Sequence, residues 1–157
     1  MLTRLRYMRT DFWTGILQNK ILLTAVMAWL VAQVLKTIIY RLTSKEFDIK
    51  RLVGDGGMPS GHTATVTALA IRVAMERGSY SLEFAMAMIF AIIVMHDAMG
   101  VRRESGRHAQ ALNEIIDILD DRIDFDLRLK EFLGHTPFQV VAGAFLGAVV
   151  AVVSGFF

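Results

Sequence analysis

Residues 21–40 read ILLTAVMAWLVAQVLKTIIY, a stretch that is apolar as far as Lys36 except for Thr24 and Gln33. About 20 mostly apolar residues are enough for an α-helix to cross the hydrocarbon core of a bilayer. The stretch therefore predicts a membrane-spanning helix, with Trp29 near its middle. Lys36 has two interpretations: its stem carries the charge out to the lipid headgroups, or the charge points into a polar site between helices.

The composition of the whole chain also indicates a membrane protein. Of 157 residues, 54% are hydrophobic and 20% are charged, whereas soluble domains carry about a quarter charged residues. The lack of Cys excludes a disulfide scaffold and a thiolate zinc site. The net charge is only +2, without one continuous basic run, so we expect no nucleic-acid partner. Residues 1–157 are predicted to form a single membrane-embedded domain.

Three further apolar stretches predict helices that cross the membrane beside the first. Segment 63–77 is too polar to face lipid on all sides, so we expect the other helices to shield it, with Arg72 either paired to Glu76 or reaching the membrane edge. Segment 84–100 includes a His and an Asp, which at such depth usually face the protein interior. The last span, 138–157, has no charged residue.

Two amphipathic segments flank these spans. Residues 1–19 place arginines before a short apolar patch, which predicts a helix lying on anionic lipid. Within residues 104–134, apolar residues recur at helical spacing, which predicts an amphipathic helix on the membrane surface or against a partner. Gly143 and Gly147 permit close contact with another helix, and a homo-oligomer is left open. The predicted fold class is an all-α integral membrane helical bundle with about four spanning helices.

Two polar segments, 43–60 and 101–135, are predicted to be loops that carry a functional site. In the first, GGMPSGHT at residues 56–63 marks the point where a glycine-rich loop meets a helix. Backbone N–H groups and the positive dipole end at a helix start suit phosphate, and Ser60 fits the N-cap position. The alternative is an ordinary cap and turn between two membrane helices. His62, just inside the helix, favours the phosphate site.

The second segment begins VRRESGRH at residues 101–108. Arginine presents a planar fork that matches phosphate oxygens, and histidine can act as a nucleophile or proton carrier near neutral pH. A solvated positive loop that follows the positive-inside bias is the alternative. If all four predicted spans cross the membrane, the two loops lie on the same face and can meet.

Several short motifs resemble a known family. Pro59-Ser60-Gly61-His62 is similar to the central motif of the type 2 phosphatidic acid phosphatases, a membrane family related to the vanadium haloperoxidases. The wider set resembles the divergent branch of that family, a group of small bacterial and plastid membrane proteins. The residues that carry this likeness, over about 20–157 of the chain, are 56–62, Asp97-Ala98-Met99-Gly100-Val101-Arg102, 106–113 and Gly134-His135-Thr136-Pro137.

The resemblance implies a membrane phosphatase that hydrolyses a lipid phosphate monoester through a phosphohistidine intermediate. His108 would be the nucleophile, and Arg102 would clamp the phosphate. His62 would protonate the leaving alcohol, while Ser60 and the Gly61 amide would hold the phosphoryl oxygens. Such a mechanism splits hydrolysis into two steps and stabilises the transferring group electrostatically.

The chain also departs from the family pattern. Leu112 stands where the family has an Asp that orients the nucleophilic histidine, and no Arg-Pro pair follows Lys36. The replacement groups expected at the site are the cations Lys36 and Arg51 and the carboxylate Asp97, and Arg103 is a further expected phosphate-binding residue. A catalytically degenerate module that binds phospholipid or a protein through the same anion site is therefore the alternative function. A small transporter or channel component, indicated by the intramembrane charges, is a third.

Cofactor, location and partners follow from the same residues. The wider family needs no metal and the histidines show no paired ligand spacing, so we expect none, although Asp55 and Asp97 could join Mg²⁺ to a phosphate. Lys and Arg are more numerous on the side that carries the motifs, which indicates the cytoplasmic side of a bacterial inner (plasma) membrane. The expected partners are the lipid bilayer and a membrane lipid phosphate as substrate.

Overall fold

The computed structural model describes residues 12–44, 57–119, 129 and 134–156, and these residues form helices and short connections without a strand. This confirms the all-α fold class. A short helix α1 covers 12–18. The remaining helices are α2 (Lys20–Ser44), α3 (Gly61–Arg77), α4 (Leu82–Met99), α5 (Val101–Leu119) and α6 (Pro137–Ser154).

The central helix is α3, which packs against α2, α4 and α6. Its core residues are small: Ala64 and Ala68 are fully buried together with Ala28 of α2 and Ala151 of α6. Small side chains let helix backbones approach closely, which is how helices gain packing energy inside a membrane. The prediction that this segment is shielded by the other helices is confirmed.

Two charged side chains of α3, Arg72 and Glu76, form an ion pair. Arg72 is only 5% exposed, and its guanidinium donates to Glu76 from Nε at 3.0 Å and lies 2.9 Å away through a second nitrogen. A buried charge costs several kcal/mol unless it is paired, so the partner one turn along the helix makes the position tolerable. Of the two predicted alternatives for Arg72, the pair with Glu76 is the one observed.

Three helical stretches within the described residues are long and apolar enough to cross a membrane: Lys20–Thr43, Leu82–Ile118 and Pro137–Ser154. The fourth predicted span, α3, has 17 residues, three threonines in its first half and an Arg–Glu pair. It is shorter and more polar than the other three, and about half of its residues are buried by the rest of the chain. Outward-facing side chains on α4 are instead large and apolar, among them Ile89, Phe90 and Ile93.

Two glycines join α6 to α3. A Cβ placed on Gly143 would lie 2.5 Å from the Ser60 carbonyl oxygen, and one placed on Gly147 would overlap the Ala64 carbonyl oxygen. Because successive turns of α6 meet successive turns of α3, the two helices run parallel. The close helix contact predicted from these glycines is present, and it lies within one chain.

Residues 101–119 are a helix rather than part of a loop, which corrects the predicted loop at 101–135. Helix α5 begins at Val101, directly after α4, and the pair Arg107–Glu104 (3.0 Å) supports its first turns. Gly106, Ala109 and Asn113 form its buried side at helical spacing. The amphipathic helix predicted within residues 104–134 therefore starts earlier and includes Arg102 and Arg103. Similarly, α2 continues to Ser44, so the first predicted loop starts after that residue.

The predicted interfacial segment is helical where it is described. Helix α1 exposes Phe12, Trp13 and Leu17, and the first two rings contact edge to face at 5.4 Å between centroids. Exposed aromatic and apolar side chains next to a membrane span are typical of a helix at the lipid interface. Residues 1–11, with their arginines, lie outside the described residues.

Candidate functional site

The N-termini of α3 and α6 lie together at one end of the bundle. The Ser60 N–H donates to the Gln139 carbonyl at 3.1 Å, and the His135 N–H donates to the Ala98 carbonyl of α4 at 2.9 Å. We call this end, where α3 and α6 begin and α4 ends, the motif end. Two parallel helix dipoles point their positive ends at it, which favours an anion.

Ser60 caps α3, as its sequence position indicated. The residue is fully buried, and its Oγ accepts from the Thr63 N–H at 3.3 Å and from the Thr63 hydroxyl at 3.0 Å. Gly61 begins the helix beside α2, where an added Cβ would lie 3.6 Å from Trp29 Cδ1 and 3.7 Å from Gln33 Oε1. The Ser60 hydroxyl is thus committed to the cap, while Gly61 places the first turn of α3 against α2.

Lys36 is buried beside Gly57, in the loop that precedes α3. It is 5% exposed, and its stem packs against Gly57, where an added Cβ would lie 3.2 Å from Lys36 Cγ. Gly57 has φ +81°, a conformation that glycine adopts without steric cost. Gly57, where the described part of the loop begins, therefore packs on the lysine stem. The Lys36 side chain is therefore covered by protein along its stem rather than exposed to lipid.

Two histidines meet at the motif end, and only one of them was a predicted site residue. The ring centroids of His62, in the first turn of α3, and His135, just before α6, are 6.3 Å apart with the rings tilted by 54°. His135 is 4% exposed, and its Nδ1 lies 3.3 Å from Gln139 Oε1. The sequence signal for His135 was its position in Gly134-His135-Thr136-Pro137, which by itself assigned no role.

Asp97 and Arg102 form an ion pair where α4 passes into α5. Arg102 Nε lies 2.7 Å from Asp97 Oδ2, with the side chains 47% and 39% exposed. Exposed pairs of this kind contribute about 1 kcal/mol or less. The Arg103 backbone packs against Gly134 so closely that an added Cβ would overlap its nitrogen. The start of α5, with both arginines, therefore lies next to the residue that precedes His135.

The structure does not bring His108 beside His62. His108 is exposed and lies on α5, which among the described helices packs only against α4. At 3.6 residues per turn, His108 points roughly a third of a turn away from the buried side of α5 and from Arg102. The predicted meeting of the two histidines assumed a loop that could fold over the site, whereas the segment is a helix.

Arg51 lies outside the described residues, and so does Asp55, the second candidate for holding Mg²⁺. In the part of the chain that the structure describes, no group of three or more His, Asp or Glu side chains could hold a metal ion.

Asn113, next to the position where the family has its Asp, holds the chain that returns to α6. It is 3% exposed; its Nδ2 donates to the Leu129 carbonyl and its Oδ1 accepts from the Leu129 N–H, both at 2.9 Å. The Asn113 amide thus forms two hydrogen bonds with the backbone of Leu129, as an adjacent strand of backbone would. This fixes residue 129 against α5.

We expect Asn113→Leu to speed tryptic cleavage after Arg128 and Lys130, because both bonds to Leu129 are lost. Asn113→Asp keeps the acceptor but loses the donor, so its cleavage rate should fall between those of wild type and Asn113→Leu. Each hydrogen bond contributes about 1 kcal/mol, or roughly a five-fold change in the opening equilibrium. Cleavage after Arg51 serves as the internal control. Equal rates in all three proteins would contradict this role.

Comparison with known proteins agrees with the membrane bundle. A sequence model described as the divergent PAP2 family matches residues 17–150. The uncharacterized membrane protein YuiD of Bacillus subtilis (strain 168) is 38% identical over 154 residues, which cover 90% of this chain and 98% of that protein. No solved structure matches the chain significantly. With the spans described above, these matches make the chain an integral membrane protein.

Proposed function

Since the chain belongs to the divergent PAP2 family, we propose that it is a membrane phosphatase that hydrolyses a lipid phosphate monoester at the motif end. The observation that carries this proposal is the pairing of His62 with a second imidazole where two helix N-termini meet. Hydrolysis through a phosphohistidine needs one imidazole as nucleophile and one group that protonates the leaving alcohol. His62 takes the second role.

The electrostatics of the motif end suit a phosphoryl group. The dipoles of α3 and α6 act in the same direction, and Lys36 adds a buried positive charge directly beneath the loop at Gly57. Charge on a transferring phosphoryl group is stabilised best by fixed dipoles and cations in a site that excludes water. Arg102 and Arg103 stand beside this site at the start of α5 and supply further cations to an approaching phosphate.

An apolar groove supports a lipid as the substrate. It has a volume of about 480 Å³ and runs along α3 and α4, from Met95 to Phe84, with Ala91 and Ala144 among its walls. Met95 lies one turn from Ala98, whose carbonyl binds the His135 N–H. The groove therefore starts near the motif end and extends for about 16 Å of helix, which is roughly half the hydrocarbon core. One acyl chain of a lipid in the adjacent leaflet fits this length.

The site is proposed to face the cytoplasm of a bacterial inner membrane. In the topology predicted from the sequence, Lys and Arg are more numerous on the side that carries the motifs, and positive residues near membrane helices favour the cytoplasmic side. A lipid phosphate in the inner leaflet would then reach the site from the bilayer.

The function is tested by phosphate release from purified protein in liposomes. Phosphatidic acid, phosphatidylglycerophosphate and a polyprenyl phosphate are offered beside a short-chain, water-soluble phosphomonoester. We expect release from at least one long-chain substrate, and at least about ten-fold slower release from the short-chain compound, because loss of several buried CH₂ groups costs about 0.8 kcal/mol each. Binding of lipid phosphate without release would instead support the degenerate binding module. If the protein neither bound nor hydrolysed any of these lipid phosphates, both functions would be contradicted.

A further inference from the structure

Resting on the proposed function, we propose that His135, rather than His108, is the imidazole that receives the phosphoryl group, and that Gln139 orients it. In the family pattern the nucleophilic histidine is held by an Asp, and that position here is Leu112, which is 49% exposed. The structure provides a different orienting group for a different histidine.

The hydrogen bonds of Gln139 determine which nitrogen of His135 carries the proton. The Thr136 N–H donates to Gln139 Oε1 at 3.0 Å, so this atom is the amide oxygen and acts as an acceptor. A carbonyl oxygen has two lone pairs, and the second faces His135 Nδ1 at 3.3 Å. Nδ1 must therefore donate, and the lone pair of the neutral ring lies on Nε2. A nucleophilic imidazole needs this tautomer, which a carboxylate fixes in catalytic triads.

The backbone around His135 is fixed on both sides. Its N–H binds the Ala98 carbonyl at 2.9 Å, and Gly134, with φ +85°, lies against the first turn of α5. On the other side, Thr136 and Gln139 form a reciprocal capping box at the start of α6. The backbone at His135 is thus held between α4, α5 and α6, and its ring lies beside that of His62. Such a preorganised position is what a nucleophile requires.

His108 has none of these features. Its side chain is exposed on α5, and no residue that the structure describes forms a hydrogen bond with its ring. A ring without an orienting partner samples both tautomers and several rotamers, which lowers the fraction ready to attack. The family spacing from Arg102 to His108 is present in the sequence, but the helix turns the two side chains to different sides.

The reaction can be written with every proton assigned. His135 Nε2 attacks phosphorus, and the N–P bond forms as the P–O bond to the lipid alcohol breaks. The electron pair stays on that oxygen, which takes a proton from protonated His62. The positive charge on the His135 ring remains next to Gln139 Oε1. Neutral His62 then takes a proton from a water molecule that attacks phosphorus, the N–P bond breaks, and inorganic phosphate leaves with both rings restored.

The test traps the phosphoenzyme. Purified protein in liposomes is mixed with a lipid phosphate that carries a radiolabelled phosphoryl group, denatured at alkaline pH and digested with trypsin. The four histidines fall into four separate tryptic peptides: 52–72, 78–102, 108–122 and 131–157. We expect the label in 131–157. A label in 108–122 or 52–72 would overturn this assignment while leaving the phosphatase function standing. If neither a labelled peptide nor phosphate release were detected, both proposals would be contradicted.

Variants supply the second readout. We expect His135→Asn to abolish the label and to reduce phosphate release at least about 100-fold, a loss at least ten times larger than that of His108→Asn. The reverse ranking would overturn the assignment. Because His135 is buried, folding of each variant is checked by its thermal unfolding midpoint.

Gln139 is tested as a positioning residue with a matched control. Gln139→Leu removes the acceptor that orients His135, whereas Thr136→Ala removes the other half of the capping box and leaves the bonds to Oε1 in place. We expect Gln139→Leu to slow phosphoenzyme formation about ten-fold or more with little change in KM, and Gln139→Glu, which keeps an acceptor, to restore it. An equal loss in Gln139→Leu and Thr136→Ala would show that only the helix cap matters.

Discussion

Gly143→Val is expected to lower the free energy of unfolding by about 3 kcal/mol or more, at the upper end for an overpacked core position. The new side chain would meet the Ser60 carbonyl and the Thr63 side chain. A backbone carbonyl cannot turn aside as the end of a flexible side chain can. The whole of α6 must therefore move away from α3, and the Ser60 N–H bond to the Gln139 carbonyl, which joins the two helix starts, is lost with it.

This change is measured by thermal unfolding in detergent, followed by tryptophan fluorescence, since Trp29 lies beside Gly61 at the α2–α3 contact. For a chain of this size, about 3 kcal/mol corresponds to a drop of about 6–12 °C. Gly15→Val is the matched control, because no atom lies within 4 Å of a Cβ added there. Equal midpoints for the two variants would contradict the close contact of α3 with α6.

His62→Asn is expected to reduce phosphate release from a lipid phosphate by about 10²–10⁴-fold, the usual contribution of a general acid. His62 lies in the first turn of α3, beside His135, and in the proposed mechanism it protonates the departing alcohol. Asparagine keeps a polar side chain but cannot donate a proton to an alkoxide. The loss should depend on the leaving group: an aryl phosphate, whose alcohol is acidic, needs less protonation and should lose far less activity.

The control is His96→Asn, since His96 is exposed on α4 and belongs to neither site proposal. We expect its phosphate release to match that of wild type with both substrates. If His62→Asn reduced hydrolysis of the alkyl and aryl phosphates by the same factor, His62 would have a role in binding rather than in proton transfer. Full activity of His62→Asn would remove it from the mechanism.

Much of the fold could be predicted from the sequence because a bilayer imposes local requirements. An uninterrupted apolar run must become a helix, since every backbone polar group in lipid needs an internal partner. That rule located α2, α4 and α6, and the polarity of 63–77 correctly predicted a shielded helix. The rule does not apply to the charged segment 101–108, where a loop was predicted and α5 begins. There, the charges of 101–108 are equally compatible with a loop and with the exposed side of a helix.

The site was predicted in part, for a related reason. A cap such as Ser60 depends on residues within one turn, so it can be read from neighbours along the chain. Lys36 could be singled out as an intramembrane charge, but its surroundings depend on what packs against it, and the contact with Gly57 comes from the tertiary structure. The motif spacing from Arg102 suggested His108 as the nucleophile. Spacing measures distance along the chain, however, and does not give the side of a helix on which a residue lies.

The sequence by itself therefore determined that this is an integral membrane bundle, because helix length, apolarity and capping are properties of short segments. The tertiary structure decided which imidazoles meet. His62 and His135 are 73 positions apart in the chain, and they are neighbours because Gly143 and Gly147 let α6 pack parallel to α3, with both helices starting at the same end. That relation depends on close contact between backbones, which no local pattern contains.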